Sequence, residues 1–184
     1  MRNSNTMSTK SIILTGMCTA VLAVMSQISL PLPSGMPVTL QTFAIALTGC
    51  ILGWKLGTAA TLIYIITGVV GVPVFANFSG GMGVLLGYSG GFIFGFIFMA
   101  FLCGIAVTQR NKVFTGILAI AGLVICHLFG ILQFSIIMKM SFLESAVLVS
   151  VPFLLKDIIS VVMAFVLGNR IRKILKTASI LNYA

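Results

Sequence analysis

Apolar residues fill the chain in long blocks, and polar positions fall almost entirely between them. After ten polar residues carrying Arg2 and Lys10, an apolar run extends from Ser11 to Leu30. It predicts a first membrane-length helix rather than a cleaved leader, because it is too long for a signal core and no small-x-small site follows before Pro31. Pro31, Pro33 and Pro37 then break the pattern and predict an extended, charge-free connector, since each proline also biases its predecessor away from the helical region. Two shorter runs follow, Thr39 to Leu52 and Thr58 to Val70, with a reversal at Gly53, Trp54, Lys55 and Gly57. Both are short for a full span and predict helices that hand over to irregular connectors inside the apolar layer. Further runs from Ser89 to Thr108, from Val113 to Ile137, and from Pro152 into the basic segment Arg170, Arg172, Lys173 and Lys176 bring the expected helix count to six.

Between the third and fourth runs lies GVPVFANFSGGMGVLLGYSGGFIFG, residues 71–95, which has no charge and is dense in glycine. A segment so apolar and so poor in helix formers is costly as irregular backbone in lipid, where unpaired N–H and C=O groups find no partner. Shielding by protein follows, and the segment is expected to form part of a cavity wall with Asn77 as its most informative side chain. Within it Gly87, Gly91 and Gly95 are spaced four apart, a face on which another backbone or a ligand can lie close.

Composition fixes the class. Hydrophobic residues make up 59% of the 184 residues and charged residues 7%, too little polar cover for a soluble domain of this length. The expected protein is an all-α membrane protein forming a single transmembrane substrate-binding domain over residues 1–184. Six spans leave no room for a nucleotide-binding domain, so any use of ATP requires a partner. The net charge of +9 is scattered between apolar runs and forms no stripe that could follow phosphates, which argues against nucleic acid. Sorted by alternate connectors, nine cations fall on one side and Lys139 and Lys156 on the other. The positive-inside rule then puts both termini in the cytoplasm and the Gly-rich loop outside, with the C-terminal basic run as a topology anchor on anionic lipid.

Candidate chemistry is sparse. Only Glu144 and Asp157 are acidic; Glu144 reads as a solvated loop charge, whereas Asp157 lies inside an apolar run, where an ionised group costs about 2.5–3.5 kcal/mol and so should face a cavity or partner. Lys156 and Ser160 share a face of the same helix. His127 is open to two readings, hydrogen-bonded structure or a proton relay or metal ligand, and Gln133 and Gln41 to two others, packed polar glue or cavity lining. The cysteines at 18, 50, 103 and 126 read as buried small hydrophobes, no set of residues forms a metal site, and no Ser/His/Asp or Cys/His group can be assembled. GGMGVLLG lacks a preceding strand and a following acid, so dinucleotide binding is rejected; no enzyme and no cofactor are expected.

The order PVTLQTFA, then GVPVFA, then SGGMGVLLGYSGG, together with VPFLLKDIIS, strongly resembles the BioY family, the biotin-binding S-component of energy-coupling factor (ECF) transporters. The resemblance covers most of the chain and is densest from Pro37 to Phe96. It implies capture of biotin from outside a bacterial or archaeal cell, working with a transmembrane coupling protein and two cytosolic ATPases. It further implies that Asn77 and Asp157 hold the biotin ring system, with the loop at Gly81, Gly83 and Tyr88 around it, and that the face of Gly16 and Ala20 meets the coupling protein. The chain departs from the family pattern by carrying Ser160 where a lysine is usual, and His127 and Gln133 where Tyr and Trp are common. Lys156 is the candidate replacement for the missing lysine. Two alternatives stand beside biotin capture: a biotin precursor or another small vitamin in the same fold, and a membrane scaffold without a ligand.

Overall fold

The computed structural model describes residues 8–30 and 36–181. The expectations for Arg2, Pro31 and Pro33 lie outside the described residues. Helix α1 (Thr9–Ser26) leads into a two-residue strand, β1 (Ser29–Leu30), paired antiparallel with β2 (Val38–Thr39). The first helix therefore ends four residues earlier than its apolar run. Past Ser26 the side chains turn to other work: Gln27 takes the N–H of Phe78 at 2.8 Å, and the Ser26 hydroxyl donates to the Val74 carbonyl. Ser29 and Leu30 pair instead with Thr39 and Val38.

Helix α2 (Gln41–Val69) is two helices joined at Gly53, where φ is 79° and ψ 177°. Only glycine adopts that conformation without strain. The legs 41–52 and 54–69 fold back on each other, as Gln41 Nε2 donating to Tyr64 Oη at 2.8 Å requires. The reversal expected at Gly53 is thus present, reduced to a single non-helical residue. A 3₁₀ turn (Ala76–Phe78), the short α3 (Met82–Leu86) and α4 (Gly90–Ala106) follow. Next come α5 (Lys112–Met138), α6 (Phe142–Val149) and α7 (Val151–Thr177).

Among the described residues, α1, α2, α5 and α7 are long and apolar enough to cross a membrane, α2 only when its two legs are counted as one helix, and α4 is a shorter apolar helix. The core is built around both legs of α2 and α4. On α4, a Cβ at Gly91 would lie 2.1 Å from the Phe129 carbonyl and one at Gly95 2.6 Å from Cys126 Cα, so these two glycines serve close packing on α5.

Helix α6 corrects the reading of Glu144 as a solvated loop charge. Ser141 and Glu144 form a reciprocal capping box: the serine hydroxyl accepts from the Glu144 N–H, and the carboxylate accepts from the Ser141 N–H at 3.0 Å. Glu144 is a cap rather than a loop charge. A second correction concerns the C-terminal basic run. Arg172 is 5% exposed, and its Nη1 donates to the carbonyls of Cys50 at 3.2 Å and Ile51 at 3.1 Å. It closes the last turn of the 41–52 leg, where free carbonyls and the negative helix end favour a cation. At the same end Lys10 Nζ reaches the Ser179 carbonyl at 3.1 Å, bringing the two ends of the described chain together.

Candidate functional site

At the opposite end, the Gly-rich loop, the β-hairpin and the start of α7 enclose a cavity of about 420 Å³. Pockets for small organic molecules span about 300–1,000 Å³. Its apolar wall is aromatic, with Phe75, Phe92, Phe96 and Phe153, and its polar lining includes Thr39, Gln41, Thr42, Asn77, Tyr88, Lys156 and Asp157.

The loop wall is shaped by backbone. Asn77 (φ 57°) and Phe78 (φ 55°) are consecutive left-handed residues. Asn tolerates this region and Phe rarely does, so the turn must be held from outside. Gln27 holds it through the Phe78 N–H, and Phe75 N–H donates to the Ser79 carbonyl at 3.0 Å across its base. Ser29 Oγ lies 2.5 Å from Asn77 Oδ1, fixing the amide at the cavity edge. Phe75 is wholly buried beneath, with Tyr64 packed edge-on at 5.5 Å. Farther along, Gln133 on α5 donates from Nε2 to the carbonyls of Leu85 at 2.8 Å and Gly87 at 2.7 Å, which pins the second half of the loop.

The facing wall is built from charge. Asp157, 4% exposed, sits between two cation-capable groups: Lys156 Nζ is 2.6 Å from Oδ1 and His127 Nε2 is 3.3 Å from Oδ2. The Lys156 contact is an ion pair without the angle of a hydrogen bond, which leaves Oδ1 with no donor aligned to it. Lys156 also donates to the Thr39 carbonyl at 2.8 Å, tying α7 to the β-hairpin. His127 Nδ1 meets Ser150 Oγ at 2.8 Å. Ser150 is the non-helical residue between α6 and α7, with Pro152 in the first turn after it.

The structure thus brings Asn77, Asp157, Lys156, Gln41, Gly83 and Tyr88 into one cavity wall. Gly81, Ser160, His127 and Gln133 do not line it. Ser160 is buried one turn beyond Asp157; His127 and Gln133 stand behind the wall and hold what does line it. Gln41 lines the cavity with its amide already engaged, accepting from Thr39 Oγ1 at 2.9 Å and donating to Tyr64. Sequence reasoning missed Phe92, Phe153, Thr39 and Ser150. Ser150 was signalled by its place two residues before Pro152, a common helix start. Gly16 and Ala20 are exposed, and nothing lies within 4 Å of a Cβ built on Gly16, so this face is not used for packing among the described residues.

Chemically, the site offers a buried carboxylate acceptor, an ammonium beside it, an amide across from it and aromatic walls. Among the described residues no group of three His, Cys, Asp or Glu side chains could hold a metal ion. The arrangement fits binding of a polar ring with an apolar body.

Comparison with known proteins points the same way. The profile of the BioY family matches residues 1–177. A biotin transporter BioY of Thermotoga maritima is 38% identical over 168 residues, covering 90% of this chain and 97% of that protein. A probable biotin transporter BioY of Pyrococcus horikoshii is 34% identical, covering 90% and 98%. A crystal structure of the S-component for biotin from an ECF-type ABC transporter superposes with a TM-score of 0.81 at 26% identity, covering 91% of this chain and 95% of that one.

Proposed function

The chain belongs to the BioY family, and from that premise we propose that it captures biotin as the S-component of an ECF-type transporter, a binding and transport protein rather than an enzyme. The observation that carries this reading is the meeting of Asn77 and Asp157 across one aromatic-walled cavity. Biotin's ureido N–H groups need an acceptor and its carbonyl a donor; a carboxylate and an amide supply both. Phe92, Phe96 and Phe153 offer surface for the sulfur-containing ring.

Lys156 replaces the family lysine missing at Ser160. The ureido group and the carboxylate of biotin lie at opposite ends of the molecule, separated by a ring and a four-carbon chain. Lys156 therefore cannot stay on Asp157 and also reach the carboxylate. We infer an exchange: a ureido N–H takes over Asp157 Oδ1, and the lysine stem swings away from Asp157 and the Thr39 carbonyl to pair with the valerate. The commitment of Lys156 to those two groups is the one observation that favours the second reading, a biotin relative without a free carboxylate.

In the cell membrane of a bacterium or archaeon, α1, the two legs of α2, α4, α5 and α7 make six crossings. Both termini are cytoplasmic, by the excess of Lys and Arg at that end, and the Gly-rich loop faces outside. A transmembrane coupling protein and two cytosolic ATPases supply the energy, and the open face of Gly16 and Ala20 on α1 is available to the coupling protein.

Radiolabelled biotin and detergent-purified protein test the reading. Saturable binding at nanomolar to micromolar concentration is expected, and its absence would remove the assignment. Lys156→Ala should weaken biotin at least about tenfold more than biotinamide, given the worth of a charge-assisted bond. Equal losses for both ligands would favour the second reading.

A further inference from the structure

His127 is the only histidine in the chain, is 5% exposed, and lies outside the cavity wall. Its two ring nitrogens are nevertheless both engaged, Nε2 with Asp157 Oδ2 and Nδ1 with Ser150 Oγ. Phe92, part of the wall, packs edge-on against its ring at 5.7 Å. A neutral imidazole has one donor and one acceptor nitrogen. An ionised Asp157 only accepts, so Nε2 must carry the proton, and the lone pair on Nδ1 then requires the Ser150 hydroxyl as its donor. The opposite tautomer would set two lone pairs against each other at 3.3 Å.

We propose that His127 and Ser150 form a positioning pair: Asp157 fixes the Nε2–H tautomer of His127, Ser150 donates to the Nδ1 lone pair and so anchors the ring, and His127 holds the Asp157 carboxylate in the orientation that receives the ligand's ureido N–H. Neither residue touches the ligand. This rests on the reading of Asp157 as the acceptor for biotin. It assigns a purpose to the break between α6 and α7, whose non-helical residue is the Ser150 that meets the ring. It also explains how α7 can carry an acid among apolar residues: Oδ2 is held by His127, and Oδ1, paired with Lys156 in the free protein, is the oxygen a ligand takes over.

The single histidine makes the proposal directly readable. In protein labelled with ¹⁵N-histidine, the neutral ring of the wild type should show a protonated Nε2 and an unprotonated Nδ1; Ser150→Ala should keep the proton on Nε2 while moving the Nδ1 resonance toward that of a free lone pair, and Asp157→Asn, whose amide can donate or accept, should give a mixture of tautomers. A wild-type ring protonated on Nδ1 alone would overturn the proposal. Binding supplies an independent arm. His127→Leu should weaken biotin about tenfold or more, the worth of a hydrogen bond to a charged group. His127→Gln, whose amide nitrogen can sit near the Nε2 position, should recover most of that loss. In an Asp157→Asn background, His127→Leu should cost less than about twofold, since residues acting through one another are not additive. Full, multiplicative losses in that background, or a glutamine variant as weak as the leucine variant, would assign His127 a packing role only. Wild-type protein that fails to bind biotin would overturn the underlying reading as well, whereas wild-type binding unchanged by His127→Leu would overturn the positioning pair alone.

Discussion

Two of the places where the chain leaves regular helix inside its apolar body are handled in opposite ways. At Gly53 the departure is one residue long, and a buried cation closes it: Arg172 fills the space beside the glycine and takes the carbonyls of Cys50 and Ile51. Between Val70 and Gly90 the departure is about twenty residues long, and neutral side chains brace it. Gln27 and Gln133 hold its backbone from behind, so its front remains open to a cavity. Both solutions satisfy backbone groups that lipid could not. The difference is that a charge closes the first, while braces at the second leave a cavity that Asn77 and the facing Asp157 line.

Substitution at the open end should have the largest effect on ligand. Asp157→Ala removes the proposed acceptor for the ligand, and a hydrogen bond to a charged group is worth up to about 3 kcal/mol. Biotin affinity should fall by about a hundredfold in equilibrium binding, and retention of affinity would break the contrast. The closed end predicts the reverse. Arg172→Ala orphans two buried carbonyls, and Gly53→Ala forces a side chain into a glycine-only conformation, each worth about 1–3 kcal/mol. Both should lower the apparent melting temperature in detergent while leaving the biotin affinity of the folded fraction within about twofold.

An intermediate effect is expected from Gln133→Leu. It frees the carbonyls of Leu85 and Gly87, about 1–3 kcal/mol of lost satisfaction, and should both loosen the loop and weaken biotin about tenfold. An unchanged affinity would mean that the loop is self-supporting. The smallest effect comes from a polar cap remote from both places. The Ser141 hydroxyl and backbone hold the exposed Glu144 carboxyl below the ordinary glutamate value of 4.5. Its contribution to α6 is therefore complete above pH 4.5 and is lost as pH falls through the lower folded value. Amide exchange in the first turn of α6 should rise there, with no change at residues 49–57.

The two regions also differ in how much the sequence disclosed. The Gly53 reversal and the Gly-rich cavity wall were both legible, because glycine density and missing charge are physical requirements visible in one dimension. The partners that complete them were not. Arg172 was counted with its basic neighbours, yet it continues the buried stripe of Asp157, Val161, Ala164 and Gly168 on α7, and that spacing was the signal. The capping box of Ser141 and Glu144 announced α6 in the same way. The β-hairpin carried no comparable signal, since two-residue strands have no readable period. His127 and Gln133 fell on the right helix but were expected at the ligand; that they brace the wall instead depends on how α5 sits against α4 and α7, which no single run of residues encodes.

Hydrogen exchange of the purified protein with and without saturating biotin bears on the contrast most directly. The open region should gain protection, at residues 75–89 and around Thr39 to Thr42, while residues 49–57 at the Gly53 turn stay unchanged. Protection spread equally over both regions, or absent from residues 75–89, would contradict the assignment of ligand binding to the open end.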